Sequence, residues 1–112
     1  MRDVVILGGV RTAIGTFGGS LAGVTPIDLG ATVAKAALAR AEVESGQIGH
    51  VAFGHVINTE PRDMYLSRVA ALQAGISEST PAMNVNRLCG SGLQAVISCL
   101  LYTSDAADDL LC

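Results

Sequence analysis

The residues with most chemical promise lie in "VNRLCGSG", where Cys89 is set among Gly90, Ser91 and Gly92. A cysteine reacts as its thiolate, and the partial positive charge and free N–H groups of a helix N-terminus stabilise that species. Ahead of it, "PAMNVN" has strand character. Behind it, Leu93, Val96, Ile97 and Leu100 recur at helical spacing, so a helix is expected to start near Gly90 or Ser91. Cys89 is therefore expected on a strand-to-helix turn, where α/β folds present nucleophiles. Gly90 and Gly92 would let an acyl group or its oxyanion come close to the backbone. The chemistry that suits this arrangement is nucleophilic attack by the thiolate. The same residues also suit a buried, inert cysteine, and residue types alone leave both readings open.

Other reactive residues make weaker constellations. His50 and His55 flank or enter a second strand, "HVAFGHVI", and side chains five apart on a strand face opposite ways, so surface or structural roles are expected and no metal site. "GGVRTAIGTFGGS" has neither GxxxxGK[ST] nor GxGxxG, and Arg11 alone is a poor phosphate ligand. A structural loop packed under the active site is expected there. Glu60, Arg62, Asp63 and Arg68 gather at a helix start, which fits either an interface or a solvated cap with weak ion pairs.

The elements that must hold these residues repeat as strand, then helix. "DVVILGG" (3–9) is expected to be a buried strand ending in glycine. Thr25, Pro26 and Asp28 have the cap, first-turn and capping-box positions of a helix whose inner face carries Ile27, Ala31, Ala34, Leu38 and Ala41. After the second strand, Asp63 is a possible cap and Gly75 a stop for a second helix, with Tyr65, Val69 and Leu72 on one face. Three successive βα units imply parallel strands joined by crossovers in one layered α/β domain. Three helices barely cover both faces of such a sheet, so the fold is expected to be incomplete.

Composition narrows the class. The 112 residues are 50% hydrophobic and 15% charged, with thirteen glycines and a net charge of −3. That favours a packed domain over disorder, and the lack of a basic run argues against nucleic acid as a partner. No apolar run is long enough to span a bilayer, and the N-terminus is too quickly polar for a signal peptide. Cys89, Cys99 and Cys112 form no CxxC pair, which favours free thiols in a reducing compartment, with cytoplasm the default.

With these residues in view, a family resemblance emerges. "VNRLCGSGLQAV" resembles the nucleophile motif of the thiolases, acyltransferases that make or cleave 3-ketoacyl-CoA. "VRTAIGTFGGSL" resembles their first loop, and "VAFGHVINTEPRDMYLSRVAA" the region before the nucleophile. The resemblance runs from Met1 to about Ser98 and is greater to bacterial β-ketothiolases and acetyl-CoA acetyltransferases than to mitochondrial fatty-acid thiolases. His55 departs from the asparagine expected in many relatives, a change expected to be tolerated.

The resemblance implies the opening three βα units of a thiolase-fold N-terminal domain, of layered αβαβα architecture. It implies Cys89 as the acylated nucleophile, its N–H contributing to an oxyanion hole, and coenzyme A thioesters as substrates with no cofactor or metal. It also implies acetyl-CoA and 3-ketoacyl-CoA as ligands of a full-length homo-oligomer, a dimer of dimers. The family's Asn-Glu-Ala-Phe, Gly-His-Pro and Cys-x-Gly segments, the last two supplying the activating histidine and the acid/base cysteine, do not occur in the 112 residues. The chain as written is therefore expected to be inactive. Two alternatives are a non-catalytic, truncated interaction subunit and a condensing enzyme of the ketoacyl-synthase type.

From Cys99 onward the text changes. "CLLYTSDAAD" is similar to the in-frame translation of a transposase sequencing adapter and resembles no thiolase. The expected division is a partial thiolase N-terminal domain at 1–98 and a non-native tail at 99–112. Leu100 and Leu101 continue the apolar pattern, so a helix is expected to cross the junction in either case.

Overall fold

The computed structural model describes residues 3–105. In chain order, helix α1 (Pro26–Ala41) is followed by a short 3-10 turn (Ser45–Gln47) and strand β1 (Val51–Gly54). A second 3-10 turn (Pro61–Tyr65) leads into helix α2 (Leu66–Gln73), then strand β2 (Ala82–Val85) and helix α3 (Ser91–Asp105).

α1 forms where its signals predict. Pro26 opens it, the Thr25 hydroxyl accepts the Asp28 N–H at 3.1 Å, and Glu42 closes it in the left-handed region. Ile27 and Ala31 are buried, while Ala34, Leu38 and Ala41 are half-buried, so the expected inner face is correct. Gly30 is where α1 meets α2 and β1. A Cβ there would come within 3.2 Å of the Ala70 methyl and 3.3 Å of the Phe53 ring.

β1 and β2 are parallel, with Val51 opposite Ala82 and Gly54 opposite Val85. The core is Val51, Ala71 and Ile76, with Leu38, Ile48, Phe53 and Ala82 packed around it. Side chains alternate along β1, so Val51 and Phe53 meet the α1–α2 layer while Gly54 meets α3. A Cβ on Gly54 would fall 2.6–2.8 Å from the backbone of Ser91 and Gly92. Only glycine lets the start of α3 lie this close to the strand.

Asn84 ties β2 to the start of α2. Its side-chain oxygen accepts the Ser67 N–H at 2.9 Å, and its amide nitrogen donates to the carbonyls of Asp63 and Met64 at 3.2 and 3.1 Å. Asp63 therefore does not cap α2. Its carboxylate accepts from the Thr59 N–H and hydroxyl, both at 2.6 Å, and from the Glu60 N–H at 3.2 Å, closing the preceding turn. Gly75 stops α2 as expected, at φ +86°.

Two expectations need correction, and the packing of α3 adds a further point. Residues 3–9 form no strand ladder. They run beside α1, β1 and α3 across a cavity of about 710 Å³, with Val5, Ile6 and Leu7 exposed. A strand exists only through hydrogen bonds to a neighbour, and an apolar run cannot supply these by itself. On α2, the buried face carries Leu66, Ser67, Ala70 and Ala71, whereas Tyr65 and Leu72 are exposed. Small residues suit the close α1–α2 approach, and larger ones are displaced from it. On α3, Ser91 and Ala95 are buried, while Leu93, Val96, Ile97 and Leu100 are exposed, because the sheet meets the helix on its small-residue side.

α3 crosses Ser98 without a break, as expected, and Tyr102 stacks on His50 with ring centroids 4.2 Å apart. The remainder of the expected tail, 106–112, lies outside the described residues.

Candidate active site

Cys89 lies on the turn between β2 and α3, and its thiol is exposed. Among the described residues, Cys89 is not the buried side chain of the alternative reading. The turn is built by its neighbours. Asn86 accepts the Leu88 N–H on its side chain at 3.0 Å, an Asx-type turn. Leu88 takes φ +49°, a region disfavoured for residues with a Cβ. Gly90 donates to the Arg87 carbonyl and Ser91 to the Leu88 carbonyl, each at 3.0 Å, and Gln94 N–H makes the first α-type bond to Gly90 at 2.9 Å. The Arg87 guanidinium donates to the Gln94 side chain at 2.8 Å, which carries it along α3. Among the hydrogen bonds of the described residues, none uses the Cys89 N–H.

The two glycines beside Cys89 lie in open surroundings. A Cβ on Gly92 would touch nothing within 4 Å, and on Gly90 it would meet the Arg87 carbonyl oxygen only at 3.4 Å. The space beside the thiol is open. An exposed sulfur and an N–H without a partner among the described residues thus lie on one residue, just before α3 begins.

The histidines are divided between the sheet's two ends. His50 precedes β1, whereas Cys89 follows β2, and parallel strands of four residues put roughly 10 Å or more of sheet between them. His50 is buried, its Nε2 has no hydrogen-bond partner, and burial holds the imidazole below its ordinary pKa. His55 follows β1, at the cysteine end, where its N–H donates to the Val85 carbonyl and its Nε2 pairs with Asn58 at 2.9 Å. Both have the structural or surface roles expected of them. Among the described residues no group of His, Cys, Asp and Glu is placed to hold a metal ion.

Two loop expectations change. The glycine-rich loop does not pack under the turn, since Ile14 and Phe17 are exposed and Arg11 donates only to the adjacent Thr12 carbonyl. The charged cluster resolves into separate parts. Arg62 and Glu60 pair at 3.2 Å on the surface, and Arg68 donates to the Thr80 carbonyl at 3.2 Å. Asp63 is fully buried rather than solvated. The Thr59 hydroxyl first, then the Thr59 and Glu60 N–H groups, hold its carboxyl below the usual value against the opposing effect of burial.

Ser91 and Asn86 are the residues that reasoning from the sequence missed. The available signal was a small hydroxyl residue at the expected helix start, where such side chains bond the backbone.

The family model described as "Thiolase, N-terminal domain" matches residues 4–104. The chain belongs to the thiolase family. Among curated relatives, β-ketothiolase BktB of Cupriavidus necator is 64% identical over 97 residues, covering 87% of this chain and 25% of the relative. Among solved structures, the acetyl-CoA acetyltransferase of Bacillus anthracis superposes with a TM-score of 0.83 at 39% identity, covering 91% of this chain and 26% of that one. Human mitochondrial 3-ketoacyl-CoA thiolase, solved in complex with CoA, superposes at 0.80 with 38% identity, covering 82% and 23%. The chain thus spans about a quarter of the length of these three proteins, and its fold is an incomplete α/β thiolase N-terminal domain. Among the described residues, no helix is long and apolar enough to cross a membrane.

Proposed function

We propose that the chain is the nucleophile-bearing segment of a cytoplasmic, homo-oligomeric thiolase that forms or cleaves 3-ketoacyl-CoA through an acyl-cysteine at Cys89. The carrying observation is the exposed Cys89 thiol beside its own unpartnered N–H at the start of α3. Names of relatives support acyl-CoA chemistry: a β-ketothiolase and acetyl-CoA acetyltransferases. In the acylation step the Cys89 thiolate attacks the thioester carbonyl and a C–S bond forms. The carbonyl oxygen takes the charge and accepts the Cys89 N–H. The bond to the coenzyme A sulfur then breaks, coenzyme A leaves as a thiolate that takes a proton from water in place of the one Cys89 gave up on ionising, and the acyl group stays on Cys89. No cofactor is needed for this exchange.

Turnover also requires a base for the Cys89 proton and an acid/base for the second substrate. The Gly-His-Pro and Cys-x-Gly motifs are absent from the 112 residues, and His50 is at the wrong end of the sheet. The segment therefore accepts at most one acyl group and does not cycle. Incubation with acetyl-CoA followed by peptide mass analysis is expected to show acetyl on Cys89, lost in Cys89→Ala, with no steady thiolysis of acetoacetyl-CoA. Sustained thiolysis, or acetylation undiminished in Cys89→Ala, would overturn the reading.

A second reading is a non-catalytic subunit that associates with a complete thiolase, for which co-purification is the test. The ketoacyl-synthase alternative is dropped, since the relatives are thiolases and acetyl-CoA acetyltransferases. The proposed adapter-like origin of the segment after Ser98 is decided by resequencing the source DNA across the codons for Ile97 to Leu101. An unbroken thiolase frame supports it, and the same tail codons refute it.

A further inference from the structure

Ser91 is 4% exposed and follows the nucleophile by two positions. Its hydroxyl accepts the Arg87 N–H at 2.8 Å and donates to the Leu88 carbonyl at 2.7 Å. One side chain thus fastens the two residues before Cys89 to the first residue of α3. Both hydrogen-bonding roles of the hydroxyl are filled, so it does not compete as a nucleophile. From the other side, Gly54 leaves no room for even a methyl group against the Ser91 backbone, which anchors that fastening point to the sheet.

The result shows in the five successive N–H groups from Arg87 to Ser91. Arg87 donates to the Ser91 hydroxyl, Leu88 to the Asn86 side chain, Gly90 to the Arg87 carbonyl and Ser91 to the Leu88 carbonyl. Of these five, the Cys89 N–H alone has no partner among the described residues. The same bonds hold Leu88 at φ +49°, a conformation that a leucine released from them would leave.

We infer that Ser91 is a positioning residue for Cys89: its hydroxyl pins the turn so that the thiol and N–H of Cys89 face outward together at the start of α3. The inference deepens the acyl-cysteine reading and rests on it for purpose, though the bonds stand apart from it.

The test is the rate of Cys89 alkylation by iodoacetamide at fixed pH, read by peptide mass analysis, in the native chain, Ser91→Ala and Ser91→Thr. Loss of the hydroxyl releases the Arg87 N–H and the Leu88 carbonyl, so the turn relaxes and presents the sulfur to the reagent less constantly. Ser91→Ala is expected to react about three- to tenfold more slowly, the range set by one hydrogen bond of ordinary worth, with helical circular dichroism unchanged. Ser91→Thr, which keeps the hydroxyl, is expected to recover most of the rate. Equal rates in the native chain and Ser91→Ala, or a threonine variant as slow as alanine, would overturn the inference.

If Ser91→Ala fails to fold, amide exchange in the native chain decides. The Arg87 N–H is expected to exchange more slowly than the Cys89 N–H, and equal exchange overturns the pinning. Acetylation by acetyl-CoA is scored separately. Slow alkylation in Ser91→Ala without acetylation of the native chain sinks the acyl-cysteine reading alone, and the converse pattern sinks the positioning role alone.

Discussion

Cys89 is exposed and Cys99 half-buried, so the two thiols offer an internal comparison. In the native chain, maleimide labelling followed by peptide analysis is expected to modify Cys89 first and Cys99 slowly, with the difference erased in urea. Equal native rates would mean that the turn is not formed. His50 gives a pH dependence. Its folded imidazole is held below the ordinary 6.5 by burial, so the unfolded chain binds the proton more readily. This contribution to stability is present above 6.5 and is lost as pH falls through the lowered folded value. His50→Phe keeps a ring against Tyr102 without a titrating group. It is expected to flatten the fall in urea midpoint below 6.5, and an unchanged slope would assign that fall to other groups. At this scale the place of Cys89 was legible, because glycines and a change of period mark a strand-to-helix turn. The pinning of that turn was not, because it depends on Leu88 adopting a positive φ that leucine's residue type does not announce.

At the scale of elements, local signals were reliable where they act locally. Thr25 and Pro26 start α1 because a hydroxyl and a fixed φ act on the next few residues alone. Thr25→Ala is expected to cost about 1 kcal/mol in urea unfolding. The faces of α2 and α3 were not legible, because a face is defined by what lies opposite it. Gly30 and Ala70 form the close contact, so larger side chains such as Leu72 are left outside it. The same dependence on a neighbour explains 3–9, whose composition suits a strand but whose backbone has no ladder. Asn84 illustrates the opposite case, an ordinary polar residue on a strand that joins two elements by three hydrogen bonds. Asn84→Ala is expected to destabilise by roughly 1–3 kcal/mol, since buried partners lose their bonds. A loss no larger than that of an exposed asparagine such as Asn58 would show that water replaces those bonds readily.

For the molecule as a whole, apolar surface is concentrated at the N-terminal segment, the glycine-rich loop and the outer face of α3. Ile6, Ile14 and Phe17 are 82%, 85% and 108% exposed, far beyond the scattered apolar surface ordinary for a self-sufficient domain. Limited proteolysis is expected to cut first before Pro26 and to leave the segment from α1 to α3 largely intact. First cuts inside α2 or β2 would contradict the packing described. Gly54 carries a different implication, for how variation in such a chain is read. It touches no acyl group in the proposed mechanism, yet an added methyl would strike the backbone from which α3 begins, just beyond Cys89. In a saturation scan scored by the activity of a complete enzyme, position 54 would therefore rank with the nucleophile itself. Intolerance there would record a shortage of space between a strand and a helix, and a reader of the scan would mistake a spacer for a reagent.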